Sequence, residues 1–337
     1  IDSLKQLLHH SSLTLRQQFI LNKALGAEYE LFVSDSAMKY FDNSLLIADS
    51  LRSVPLVDEV RLCQTSVLSI SGMYKEAWEM LHGIDRATLP DSLLPAFYDC
   101  GRQLYSFLAN YSHNSSYAAN YIRLQNAYRD SLLTVLSSAL PEYRLYEAER
   151  FIANQQFTHA KNMLVGLLHD QPETSNIYAR AAFSLAHLYK DEKQTDAYEK
   201  YLALSAISDI KASVKENAAL SNLAFVLYER GDVSRAYRYI KRSLEDAIFC
   251  NARLRTVEIS RVLPVIEAAY KQQIERQRHQ LVFFLIVVSI LSAFLIVSVI
   301  LIYKQMKKLS ATQRNLKQAN HIKEEYIGHF LNLCSIY

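Results

Sequence analysis

The chain has 337 residues, 50% apolar and 21% charged, which excludes a largely disordered polymer and leaves core material for about two or three domains. Seven glycines and six prolines are too few for the turns of a hairpin-rich β architecture, so an all-α fold is expected. A net charge of +3 is too small to imply nucleic-acid binding by this portion.

The chain starts at Ile1 rather than Met, and Tyr337 stops in mid-pattern. These ends suggest a removed signal peptide or a fragment of a longer protein. The pair His9-His10 near the start reads as solvated rather than metal-bound. Cys63, Cys100, Cys250 and Cys334 form no CxxC pair and have no His at metal-site spacing. They read as small buried side chains, and neither a metal nor a cofactor is implied.

The first 250 residues carry a repeat. "LGAEY" supplies Leu25, Gly26 and Tyr29, with Phe41 following. "SGMYKEAWEML" holds Gly72, Tyr74 and Ala77, and "RGDVSRAYRYI" holds Gly231, Val233 and Ala236 at matching offsets. "NQQFTHAKNML" keeps Phe157 and Ala160 but puts Gln155 where Gly would stand. With Ala37, Ala118 or Ala119, and Ala197, the small residues recur about every 37 to 42 positions. That spacing gives about six helical hairpins, with each Ala where a second helix crosses the first closely.

This pattern resembles the tetratricopeptide repeat, best in the last unit at Leu220, Leu223, Ala224, Leu227, Gly231, Ala236 and Ile240. The period is nearer 40 than the usual 34, and the closing Pro is mostly absent. The resemblance implies an all-α, right-handed helical solenoid over residues 1–250 that binds a protein, peptide or glycan on its concave face. Its first helices would put Ala182, Ala186 and Tyr189, then Ser221, Phe225 and Tyr228, on that face. Tyr189, Phe225 and Tyr228 are the candidate partner- or ligand-binding residues. No GxSxG, P-loop or HExxH is present, so no catalytic residue is assigned. Glu147 and Glu149, beside Arg144 and Arg150, suit an exposed helix edge.

Residues 251–280 read as connecting helices, with Pro264 expected to kink them or mark a break. "LVFFLIVVSILSAFLIVSVILIY", residues 281–303, is uncharged. At 1.5 Å per residue it makes about 34 Å of helix, enough to span a hydrocarbon core of about 30 Å. Ser289, Ser292 and Ser298 can return their hydroxyls to carbonyls one turn earlier. Lys304, Lys307, Lys308, Arg314 and Lys317 outnumber Lys271, Arg276 and Arg278 upstream. The C-terminal side is therefore expected to be cytoplasmic, with the first domain periplasmic and the whole held in the inner membrane as a single-pass protein.

Residues 304–337 look like the start of a truncated output domain with heptad spacing. Leu309, Leu316, Lys323, Phe330 and Tyr337 are seven apart, and Thr312, Ala319, Tyr326 and Leu333 fill the alternate seam. A parallel two-stranded coiled coil follows, with Leu309, Leu316, Tyr326, Phe330 and Leu333 at the seam of a homodimer. "KEEYIGHFLNLCSIY" also resembles a histidine-kinase phosphoacceptor helix. On that alignment the acceptor position falls on Asn332, which has no imidazole, and His329 stands three residues early.

Repeats, one span and a coil ending in "EEYIGHFLNLCSIY" are together similar to a family of bacterial membrane-anchored regulators with periplasmic tetratricopeptide repeats. In that family a cytoplasmic domain of unknown function precedes a winged or LuxR-like helix-turn-helix, and members such as the starch-utilisation regulator control polysaccharide-utilisation genes. The resemblance implies a one-pass signal transducer whose DNA contact lies in a domain beyond Tyr337. Two alternatives stay open: a sensor histidine kinase lacking its kinase domain, and a membrane-anchored adaptor with no output.

Overall fold

The computed structural model describes residues 1–8 and 13–335, with side chains through Asn332. His9-His10, Tyr337 and the side chains of Leu333 and Cys334 lie outside the described residues. The described residues are helical with no strand. After α1 (Asp2–Leu8) come six helical hairpins: α2/α3 (Leu15–Glu30, Ser34–Ser50), α4/α5 (Val54–Ile70, Tyr74–His82), α6/α7 (Leu94–Tyr111, Ala118–Val135), α8/α9 (Pro141–Ala153, Phe157–Asp170), α10/α11 (Asn176–Asp191, Thr195–Lys211) and α12/α13 (Ala218–Glu229, Val233–Phe249). The last helix, α14, runs from Arg253 to Ser335 without interruption.

One turn chemistry joins most of these helices. Arg52, Gly72, Gln155, Lys193, Ser213, Gly231 and Asn251 all have φ between 53° and 83°. After each, the next amide donates to the carbonyl five residues back, as Met73 to Leu68 (2.9 Å), Gln156 to Phe151 (2.8 Å) and Asp232 to Leu227 (2.9 Å). This Schellman closure satisfies carbonyls that the helix end would leave bare. Only two of the seven left-handed positions are Gly, which is how so few glycines serve so many turns.

The close crossings follow the repeat in four hairpins. Ala37, Ala77, Ala160 and Ala236 are fully buried. Each is the fourth residue of its helix, or near it, where any larger side chain would separate the pair. The fifth hairpin departs from expectation: the fourth residue of α11 is the buried Tyr198, and Ala197 is only half-buried. The third hairpin departs as well, because Ala118 is half-buried and Ala119 exposed. There the close approach is made by Gly101 of α6, where an added Cβ would overlap the Tyr128 ring. Gly26 plays the same part under Phe41 in the first hairpin.

The hairpins close on themselves. The Lys215 amide donates to the Leu31 carbonyl (2.9 Å), and Ser34 Oγ donates to the Cys250 carbonyl (2.7 Å). The Phe32 and Phe249 rings meet edge to face with centroids 5.5 Å apart. Ile70 of α4 shares one core cluster with Leu220, Leu223 and Ile240 of the last hairpin and with Ile259 and Ile266 of α14. The start of α14 thus completes the repeat core, and Tyr237 stacked on Tyr270 (4.4 Å) continues the attachment. Contacts divide the chain into two compact units, Ile1–Tyr270 and Lys271–Tyr337.

Of the kink or break expected at Pro264, the break does not occur: Pro264 lies inside α14. Ile259 and Ile266, buried on either side, offset its missing N–H through packing. In the second unit, α14 is long and apolar enough to cross a membrane, and none of its apolar window is buried. Ser289 donates to the Leu285 carbonyl (2.8 Å) and Ser298 to Phe294 (2.9 Å), so these hydroxyls are satisfied within the helix.

The left-handed turns set an ordering of stabilities. Gln155→Gly and Lys193→Gly each relieve a side chain held at φ 60° and raise stability by about 1 kcal/mol in denaturant unfolding of the full chain in detergent. Gly72→Ala destabilises more than Gly231→Ala, because a Cβ at Gly72 also meets Arg253 Cβ at 3.0 Å, while one at Gly231 meets nothing within 4 Å.

Candidate functional site: a polar chamber

Closing the hairpin array turns its concave face into a chamber of about 440 Å³ within the first unit. The first helices of the hairpins supply most of its wall. On α6 the wall residues are Asp99, Arg102, Gln103, Ser106 and Phe107. On α10 they are Asn176, Ala179, Arg180, Phe183 and Ser184. Both sets follow the i, i+3, i+4, i+7, i+8 spacing that places five side chains on one helical face. Glu30 and Ser66 enter from α2 and α4, Asp209 from α11, and Glu216 and Arg255 from the closing end of the array.

Four of these groups form one ionic network around a tyrosine. Arg102 binds Asp99 at 2.8 Å and approaches Glu149 at 3.8 Å. Arg180 binds Glu149 at 3.1 Å. The Tyr146 hydroxyl donates to Asp99 (2.9 Å) and accepts from Arg180 (3.3 Å), while the Arg102 and Arg180 guanidiniums lie 4.8 and 5.0 Å from its ring centre. Burial alone would raise the Asp99 carboxyl, but Arg102, Arg180 and the hydrogen bonds from Arg102 and Tyr146 outweigh it and hold it below the usual carboxylate range. Glu149 was expected on an exposed helix edge. It instead bridges two arginines of other hairpins, while Glu147 takes Arg150 (2.9 Å) and Arg144 takes Asp170 (2.7 Å).

A second cluster lies toward the closure. Arg255 binds Glu216 at 2.8 Å and also pairs with Glu258. Asp209 sits beside this pair with only 9% of its surface exposed, and burial, reinforced by Glu216, pushes its carboxyl up to about 7. On the α2 side, burial raises Glu30, while a hydrogen bond donated by the Ser66 hydroxyl opposes the rise and Asp99 adds to it. The chamber is therefore a polar, hydrogen-bonding cavity whose apolar surfaces include the rings of Phe107 and Phe183 and the side chains of Leu31 and Val214.

The sequence-based site residues lie elsewhere. Tyr189 stacks on Tyr201 (5.3 Å, 2°) under the Lys161 ammonium (4.3 Å), between α10, α11 and α9. Tyr228 packs against the core of the last hairpin, and Phe225 is exposed. None of the three lines the chamber. Ala182 and Ala186, expected on the concave face, are fully buried in the core, because α10 is turned so that Ala179 and Phe183 look inward instead. Along α14, Leu309, Leu316, Tyr326 and Phe330 are exposed, and Leu333 falls outside the described side chains. His329 is exposed on the same helix. Among the described residues no cluster of His, Cys, Asp or Glu could hold a metal ion.

Two stability tests separate the clusters. Asp99→Ala leaves the buried Arg102 with only the longer Glu149 contact, and it lowers unfolding stability by about 3 kcal/mol at neutral pH. Asp209 has the opposite sign. Its folded carboxyl is raised, so its contribution is fully present below about pH 4 and lost as pH rises through about 7. Asp209→Asn therefore raises stability at pH 8 and flattens the pH dependence of unfolding between those limits.

Residues 1–261 match the family model described as the SusR N-terminal TPR domain. No curated protein matches the chain.

Proposed function

The chain belongs to the SusR N-terminal TPR domain family, and from that membership we propose that it is the sensory and membrane-spanning portion of a one-pass bacterial regulator. In this reading the repeats up to residue 250 lie in the periplasm and take a glycan or protein ligand. Residues 251–280 connect them to a span at 281–303, and residues 304–337 begin a cytoplasmic coiled coil of a homodimer. A DNA-binding output follows beyond Tyr337.

The observation that carries this reading is the continuity of α14. The helix whose Ile259 and Ile266 are buried in the repeat core is the helix that contains the apolar segment. A ligand that favours one packing of the last hairpin then acts on the first turns of α14 without a flexible linker between. Differential affinity of a few kcal/mol between two packings is enough to shift the output. The greater number of basic residues after residue 303 supports a cytoplasmic C-terminal side. The heptad spacing of Leu309, Leu316, Tyr326 and Phe330 supports pairing of two chains there.

Introduced cysteines test the topology. Glu79→Cys, on an exposed position of α5, reacts with a membrane-impermeant maleimide in cells with a permeable outer membrane, whereas Leu316→Cys reacts only after lysis. Labelling of both from the same side overturns the reading. Insertion of four glycines after Arg276 leaves ligand binding intact and abolishes the transcriptional response.

A further inference from the structure

Charge inside the chamber is unevenly matched. Each arginine of the wall already has carboxylate partners: Arg102 has Asp99 and Glu149, Arg180 has Glu149, and Arg255 has Glu216 and Glu258. The nearby Lys215 is taken by Asp246 at 2.9 Å. Among the described residues Asp209 and Glu30 have no such cation. Glu30 receives only the Ser66 hydroxyl, and the charged neighbour of Asp209 is another carboxylate, Glu216. Asp209 is more than nine-tenths buried and faces the chamber, so what it lacks is a positive group supplied from the chamber side.

An anionic ligand fits poorly. It would have to take an arginine from Asp99, Glu149 or Glu216 and leave that carboxylate buried without its partner. A cation has two carboxylates open to it and disturbs no existing pair. The volume of about 440 Å³ lies in the range of small-molecule sites, and the contacts of Leu31 with Lys215 and of Ser34 with Cys250 close the array around it. Phe107 and Phe183 offer apolar faces to the rest of the ligand, while Gln103, Ser106, Asn176 and Ser184 offer hydrogen bonds.

We propose that the chamber is a binding site for a small molecule carrying a protonated amine on a compact polar or ring-shaped body, with the ammonium seated on Asp209 and further donors directed to Glu30. The inference gives the sensory reading a ligand class and rests on that reading only for its regulatory consequence. Binding itself is a property of the repeats.

Calorimetry on the full chain in nanodiscs tests it with glucosamine, glucose, glucose 6-phosphate and 1,4-diaminobutane. The expected result is that an amine binds at least about tenfold more tightly than glucose and that glucose 6-phosphate binds no better than glucose. Asp209→Asn reduces amine affinity about tenfold or more, with its thermal unfolding showing that the fold is retained. Because the ammonium needs the ionised carboxylate, diaminobutane affinity falls about tenfold per pH unit below pH 7, and this slope disappears in Asp209→Asn. Glu30→Gln weakens the diamine more than it weakens glucose. Absence of binding by both amines, equal binding of glucose and glucosamine, tighter binding of the phosphate, or amine affinity unchanged by Asp209→Asn overturns the proposal. An amine that binds in this way but leaves transcription unaltered overturns the sensory reading and not the site.

Discussion

The first and last hairpins hold each other. In an extended solenoid each repeat touches only its neighbours, stability adds along the array, and the number of repeats can drift. Here Leu31, Phe32 and Ser34 are bonded or stacked to Lys215, Phe249 and Cys250, and Ile70 shares a core with Ile240 and Ile259. A hairpin added or lost would displace one partner of each of these contacts by a full repeat. The number of repeats is therefore fixed by closure, and the chamber exists only because the array returns to its start.

Closure also accounts for the polarity of the interior. Side chains drawn into the concave face lose much of their water, and a lone charge held there is costly. The network of Asp99, Arg102, Glu149 and Arg180 around Tyr146 meets that demand by pairing charges from α6, α8 and α10. Such a network adds little stability compared with an apolar core, yet it fixes three hairpins in one angular relation. Asp209 and Glu30 are where the pairing stops, and both carboxyls are raised accordingly.

The repeat was legible where the sequence uses small residues. Ala37, Ala77, Ala160 and Ala236 occupy the buried crossings, and the uncharged run 281–303 lies in the one helix apolar and long enough to cross a membrane among those described. It was illegible where another residue does the same physical work. Tyr198 takes the crossing position in α11, Gly101 makes room for Tyr128 in place of an Ala in α7, and Gln155 turns the chain left-handed where the repeat would place Gly. The chamber was harder still. Its spacing was present in α6 and α10, but Glu30, Asp99, Asp209 and Arg255 are separated by most of the domain, and only closure brings them to one cavity. The resemblance to the repeat places Tyr189 and Tyr228 on the concave face by helix phase, whereas Tyr189 stacks on Tyr201 between helices, and a ring packed there is favoured by the same amphipathic chemistry as a ring that meets a ligand.

The bond from Ser34 to the Cys250 carbonyl joins residues separated by 216 positions. Hairpins form from local contacts and can fold as each leaves the ribosome, but this seal has no partner until nearly the whole repeat region has emerged. For most of its synthesis the protein is thus an open spiral, with Phe32 and the apolar end of α4 uncovered. That surface is covered by the arrival of Phe249 and Cys250 rather than by the completion of any single repeat.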